Sequence, residues 1–131
     1  AGRWSLCEHR KVTVEEVLAS MQALPAGEQI VAIFKHEPFI MHIECRTVDA
    51  GQRLLRLAVS CGFRESGLSV GKRTMLAIRT TALRLDVPLA VGQRVLVDDR
   101  YLDFLVALAN NYFDENFLRT EKLTQAFLSF P

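Results

Sequence analysis

Apolar residues follow two rhythms along this chain, and each change of rhythm predicts an element. Val14, Val17, Leu18 and Met21 fall at helical spacing. Thr13 stands at the N-cap position, and Glu16 three residues later completes a capping box. Pro25-Ala26-Gly27 predicts where that helix closes. Residues 30–34 form a β-branched and aromatic run, which predicts a strand. After Glu37-Pro38 the rhythm becomes strict alternation, placing Phe39, Met41, Ile43 and Cys45 on one face of a second strand. Ile40, His42 and Glu44 take the other face, which is partly polar.

Thr47 or Asp49 caps the next predicted helix, whose stripe is Ala50, Leu54, Leu57/Ala58 and Cys61. Gly62-Phe63 predicts a left-handed C-cap with a hydrophobic clasp. Residues 68–70 and 74–80 read as neighbouring strands joined by Gly71-Lys72-Arg73, and residues 4–9 as a short strand. A strand over 83–89 accommodates Pro88 only at an edge or end, and 94–97 can pair with it. Asp98 caps a long last helix on which Tyr101, Leu102, Leu105, Ala109, Phe113, Phe117, Leu123 and Phe127 recur three and four apart. That aromatic stripe, with Tyr112, predicts core or an oligomer interface. The uneven order of elements predicts an α+β fold: a mixed β-sheet packed with helices and a long C-terminal helix, in one domain spanning residues 1–131.

Composition narrows the function classes. Sixteen Lys/Arg against fifteen Asp/Glu give a net charge of +1, which argues against indiscriminate nucleic-acid binding but allows a local basic face. Base is dense at Arg10-Lys11, at Lys72-Arg73 and, more loosely, from Arg46 to Arg79. Charge interrupts every apolar run well before the roughly 18 residues a membrane span needs, and the N-terminus does not read as a signal peptide. Cys7, Cys45 and Cys61 are odd in number and widely spaced. They point to a reducing, cytoplasmic compartment rather than a disulfide framework.

No glycine fingerprint for a dinucleotide, P-loop, CxxC, HExxH or nucleophile elbow is present. His9, His36 and His42 lie on different predicted segments without metal-ligand spacing, so no metal is expected. His42 shares a strand face with Ile40 and Glu44, and a side chain of near-neutral pKa suits proton transfer. A hydrogen-bonded structural role is the other reading of it. Glu37, held extended before a proline, can accept from a ribose or amine, or be a turn carboxylate paired with Lys35. Arg64, Lys72, Arg73 and Arg79 suit an anion-binding patch on a folded-back strand pair. Ser66-Gly67 offers a hydroxyl and close backbone approach, or an ordinary turn. Trp4, Phe39 and Phe63 can stack on bases or belong to the core.

Several segments together resemble the tRNA wybutosine-synthesizing protein 3 family. They are Lys35-x-Glu37-Pro38-Phe39-Ile40-x-His42-x-x-Cys45-Arg46, Gly62-Phe63-Arg64-Glu65-Ser66-Gly67, Gly71-Lys72-Arg73 and Ala77-Ile78-Arg79. Val87-Pro88-Leu89, Tyr101-Leu102 and Ala109-Asn110 through Asn116 extend the resemblance over most of the chain. It implies an S-adenosylmethionine-dependent methyltransferase acting on N4 of the tricyclic wyosine-type guanosine beside the anticodon of phenylalanine tRNA. It also implies a fold that is not the Rossmann-type methyltransferase. The family's serine-rich Ser-x-Ser-Ser-Cys-Ser/Ala-Gly-Arg motif is matched only by its tail, Ala1-Gly2-Arg3, so a domain truncated at that motif is expected.

On this resemblance His42 or Glu37 would accept a proton, and Ser66, Gly67, Arg64 and Arg79 would bind the methyl donor. Arg3, Lys35, Arg46, Lys72 and Arg73 would hold RNA. Other wyosine-pathway enzymes are candidate partners, docking on the last helix. The rival reading is a noncatalytic tRNA-binding or assembly subunit; a third is a nucleotide-binding regulatory domain.

Overall fold

A computed structural model describes residues 2–27 and 29–131. Ala1, part of the Ala1-Gly2-Arg3 tail, lies outside the described residues. The elements are α1 (Val14–Gln22), β1 (Val31–His36), β2 (Met41–Cys45), α2 (Val48–Ser60), β3 (Gly67–Val70), β4 (Thr74–Ile78), β5 (Leu85–Val91), β6 (Arg94–Val95) and α3 (Asp99–Leu128). The class is α+β with a long C-terminal helix, and it is not a Rossmann-type sheet. The strands divide between two three-stranded sheets, β1-β5-β6 and β2-β4-β3, in which every pairing is antiparallel. The chain forms two compact units, Ala1–His36 with Arg84–Phe113 and Glu37–Leu83 with Asp114–Pro131. Each unit receives half of α3.

In the first unit, α1 and the first half of α3 cover one face of β1-β5-β6. Val17, Met21, Leu89, Ala90, Leu102, Leu105 and Val106 make the buried cluster. Pro88 sits within β5, opposite Ile33, where the β1 register shifts between Ala32 and Ile33. β6 reaches only Ala90 and Val91, so the missing proline N–H falls where no regular ladder asks for it. Residues 4–9 do not form the expected strand. Ser5 Oγ instead donates to the Ser20 carbonyl at 2.7 Å, tying the segment to α1 through a side chain.

The second unit packs α2 and the second half of α3 on one face of β2-β4-β3. Ala58, Cys61, Phe63, Leu76, Ile78 and Leu123 are its buried centre. Thr47, not Asp49, caps α2, its hydroxyl accepting from the Ala50 amide at 3.1 Å. Gly62, at φ +98°, ends α2 in the left-handed conformation. The Gly62 and Phe63 amides donate to Val59 and Ala58, a Schellman arrangement that sends the fully buried Phe63 back under the helix. A Cβ on Gly51 would lie 2.7 Å from Leu68 Cδ1, so glycine lets α2 settle closely on β3. Phe63 and Phe39 meet edge to face at 5.8 Å between centroids. Both are structural rather than free for base stacking. Phe117 and Tyr101 depart from the expected stripe, being 62% and 42% exposed. At position 116 an asparagine takes the inward direction to reach the Phe39 amide, which turns Phe117 outward.

The α1 capping box generates a pH dependence. Thr13 and Glu16 satisfy each other's backbone amides. The Glu16 carboxyl is held down at about 2, first by the Arg10 guanidinium at 2.6 Å and then by the Thr13 amide. Its contribution is therefore complete above the ordinary glutamate value of 4.5 and is lost as pH falls towards about 2. Glu16→Gln should flatten the pH dependence of the unfolding midpoint across that window. Thr13→Ala should cost about 1 kcal/mol at neutral pH in denaturant melts.

Candidate functional site

Register decides what the second unit shows to solvent. β4 pairs with β2 and β3 so that Ile43, Leu76 and Leu68 form one row on the covered face. The next row, His42, Ala77 and Gly67, then points to the opposite face. Glu44, Met75 and Ser69 form a further row on that side. The face carries one imidazole beside two of the smallest side chains available. Gly67 has an ordinary φ, and a Cβ built there meets nothing within 4 Å. Neither backbone strain nor internal packing requires glycine at this position. What its absence of side chain leaves is open space in the His42 row, on the far side of Ala77 from the imidazole.

One end of this sheet is a clasp. The Arg79 amide donates to Ser66 Oγ at 3.0 Å, and Arg79 Nε donates to the Glu65 carbonyl at 3.0 Å. The Glu65 carboxylate accepts from the Thr81 amide at 3.0 Å. That amide, followed by the Thr80 and Thr81 hydroxyls, lowers the Glu65 pKa. Ser66 and Arg79 are thus brought together, with Arg64 one residue before Glu65 in the same turn. The Arg79 guanidinium is exposed and held at its Nε, leaving its outer nitrogens for a ligand. Glu65 carried no separate role in the sequence reading. The pattern of a carboxylate one residue before Ser-Gly, with Thr80-Thr81 beyond the paired strand, is the signal that marks it.

The other end gathers Arg46, Lys72 and Arg73 with Glu44, Cys45 and Thr74 around an open cleft of about 420 Å³. The basic residues of the sequence reading therefore occupy opposite ends of the sheet rather than one patch. Glu37 is exposed and stands ahead of β2, and the Phe39 amide bonded to Asn116 Oδ1 at 2.9 Å anchors the segment that follows it. Arg3 and Lys35 belong to the first unit. Lys35 pairs there with Asp86 at 2.7 Å, not with Glu37, and this pairing lowers the Asp86 pKa. Asn116 was legible only as a polar residue deep in a helix, where asparagine is unfavourable unless its amide has work outside the helix.

Because its folded pKa is lowered, Glu65 strengthens the clasp above the ordinary glutamate value and releases it as pH falls through the folded value. The Thr81 amide proton shift, followed by NMR downward from neutral pH, should titrate with a midpoint below 4.5. Glu65→Gln should abolish that titration; a midpoint at or above the ordinary value would contradict the clasp.

The family model described as Methyltransferase TYW3 matches residues 1–129. The tRNA wybutosine-synthesizing protein 3 homolog of Mus musculus is 40% identical over 115 residues, covering 86% of this chain and 43% of that protein. Its counterpart in Danio rerio is 37% identical over 124 residues, covering 93% and 47%. The chain thus spans less than half the length of these curated relatives. The structure of PH1069 protein from Pyrococcus horikoshii superposes with a TM-score of 0.84 at 29% identity, covering 94% of this chain and 62% of that one. A hypothetical protein from Aeropyrum pernix, at 24% identity and a TM-score of 0.74, shares the fold over 91% of this chain and 69% of its own. A family match over nearly every residue, with this α+β fold beneath it, establishes that the chain belongs to the methyltransferase TYW3 family.

Proposed function

We propose that this chain is the domain of an S-adenosylmethionine-dependent tRNA methyltransferase that methylates N4 of the tricyclic wyosine-type guanosine beside the anticodon of phenylalanine tRNA. The observation that carries this reading is the open row His42–Ala77–Gly67 on a sheet face with a bound guanidinium, Arg79, at its end. S-adenosylmethionine, when bound, supplies a methyl group already activated as an electrophile. The protein's task is then alignment, exclusion of water and removal of one proton. His42 takes the N4 proton as the nitrogen–methyl bond forms, with Glu37 the alternative acceptor. Arg79 and Arg64 suit the donor's carboxylate through the fork geometry of guanidinium, and Ser66 and Gly67 border the space in which it fits. The unpaired thiols of Cys7, Cys45 and Cys61 agree with a cytoplasmic site of action.

A second reading has its own observation. Among the described residues, neither the His42 imidazole nor the Glu37 carboxylate has a side-chain hydrogen-bond partner, so neither is oriented as a base usually is. This favours a noncatalytic tRNA-binding subunit working beside other enzymes of the pathway. Calorimetry with the methyl donor separates the two, since only the enzyme needs to bind it.

His42→Ala should reduce labelled-methyl incorporation into precursor tRNA by roughly 10²- to 10⁴-fold, the usual worth of a general base. Donor affinity should be unchanged; unchanged incorporation would remove His42 from the role. Gly67→Val should fold as stably as the parent, because its side chain meets open space, yet lose methyl transfer. Mass spectrometry of anticodon-loop nucleosides from cells lacking the protein should show the unmethylated intermediate accumulating, with rescue by the intact gene.

A further inference from the structure

The cleft at the β2–β4 end of the second sheet has a charge arrangement that packing does not explain. Cys45 and Thr74 form the last paired rung of β2 and β4. Arg46 leaves that rung on one strand and Arg73 enters it on the other, so two guanidinium-bearing residues emerge side by side, with Lys72 next to them. Like charges facing each other across strands are destabilising. Among the described residues, Glu44 is the only carboxylate lining the cleft. It meets Arg73 at 3.6 Å, with side chains 55% and 73% exposed, a contact too long and too wet to hold Arg73 firmly. Among the described residues, Arg46 and Lys72 have no ion-pair partner. Three cations thus cluster just beyond the last rung of the β2–β4 ladder and are answered by one loosely placed anion.

The lining is also informative for what it contains. Glu44, Cys45, Arg46, Lys72, Arg73 and Thr74 include no aromatic or large apolar side chain on which a base could stack. Such a surface grips phosphate and sugar rather than a base edge. Thr74 lies three residues along β4 from Ala77, the centre of the His42 row, a distance of ~10 Å at the rise of a strand. That matches roughly three stacked nucleotides at ~3.4 Å each.

We propose that this cleft binds the phosphate backbone of single-stranded RNA a few nucleotides from the base presented to His42, and that the phosphate displaces Glu44 from Arg73. The inference rests on the tRNA-methyltransferase reading for its substrate and adds where, and by which groups, the flanking strand is held. Glu44 then acts as a built-in competitor that keeps the unloaded cleft weakly neutralised and sets how tightly RNA replaces it.

The test uses the full-length protein and a fluorescently labelled anticodon-loop RNA, with affinity measured by anisotropy across a salt series. Lys72→Ala combined with Arg73→Ala should weaken binding several-fold. It should also lower the slope of log affinity against log salt by about 1.4, at ~0.7 per cation removed from a single strand. Arg46→Ala should lower it by about half as much, and Glu44→Gln should tighten binding. All four positions are solvent-exposed, circular dichroism checks that each variant folds, and calorimetry should find the methyl-donor affinity unchanged in all of them. An unchanged slope in the double variant, with the parent protein transferring methyl normally, overturns the cleft and leaves the catalytic reading standing. A lowered slope in a parent protein that neither binds donor nor transfers methyl upholds the cleft and overturns the catalytic reading. Polyglutamate competing as well as RNA, with the same dependence on Lys72 and Arg73, overturns the assignment to RNA.

Discussion

The register of β4 is the constraint on which the second unit depends. This five-residue strand is paired on both sides, and two of its residues, Leu76 and Ile78, are fully buried. Those two side chains and the antiparallel ladders choose one alignment of three strands at once. A slip of one residue would expose Leu76 and Ile78 and turn Met75 and Ala77 inward, at a cost of several buried side chains at roughly 1.5–3 kcal/mol each. The same choice places His42 and Gly67 on either side of Ala77. The hydrophobic core thus fixes the geometry of a face it does not touch, and the polar residues need no contacts of their own to be aligned.

Helix α3 serves each unit by a parallel device. In the first unit Asn110 exchanges two hydrogen bonds with the Val12 backbone, at 3.1 and 2.9 Å, just ahead of α1. In the second unit Asn116 accepts from Phe39, just ahead of β2. An asparagine in a helix interior lowers helix stability slightly, but each amide here satisfies backbone groups that lie outside any ladder. Leu83, which closes the second unit's first segment, adopts φ +66° without being glycine. That conformation costs on the order of 1–2 kcal/mol. The turn before it is secured by the Ala82 amide on Thr80 Oγ1 and by Thr81 on Glu65, so the clasp beside Arg79 also stabilises the strained exit of the chain.

Local chemistry was readable in the sequence, and pairings were not. The capping box at Thr13 and Glu16, the Gly62-Phe63 helix end, the Lys72-Arg73 turn and the Asp98 cap depend on residues within a few positions of one another, and all appear. Alternation alone assigned His42 and Glu44 to one face of β2. The division of six strands into two sheets depends on long-range partners, which periodicity cannot specify. The Lys35–Asp86 pair spans 51 positions, and no spacing rule would choose Asp86 over nearby Glu37. Arg64, Lys72, Arg73 and Arg79 looked like one patch because they are close in sequence. In a strand pair, closeness along the chain becomes distance along the ladder.

That distance gives the two ends of the sheet different electrostatic lives. Arg73 and Arg79 are six residues apart on an extended strand, ~20 Å at the usual rise. The Debye length at physiological salt is ~8 Å, so the two ends neither repel nor reinforce each other appreciably. A small anion can engage one end only, and a single carboxylate held at Arg79 would gain nothing from Lys72. A ligand that profits from both must carry charge spread over more than one Debye length, as a nucleic-acid strand does. The separation therefore leaves a small anion indifferent to the far end of the sheet, and only an extended polyanion can draw on both ends.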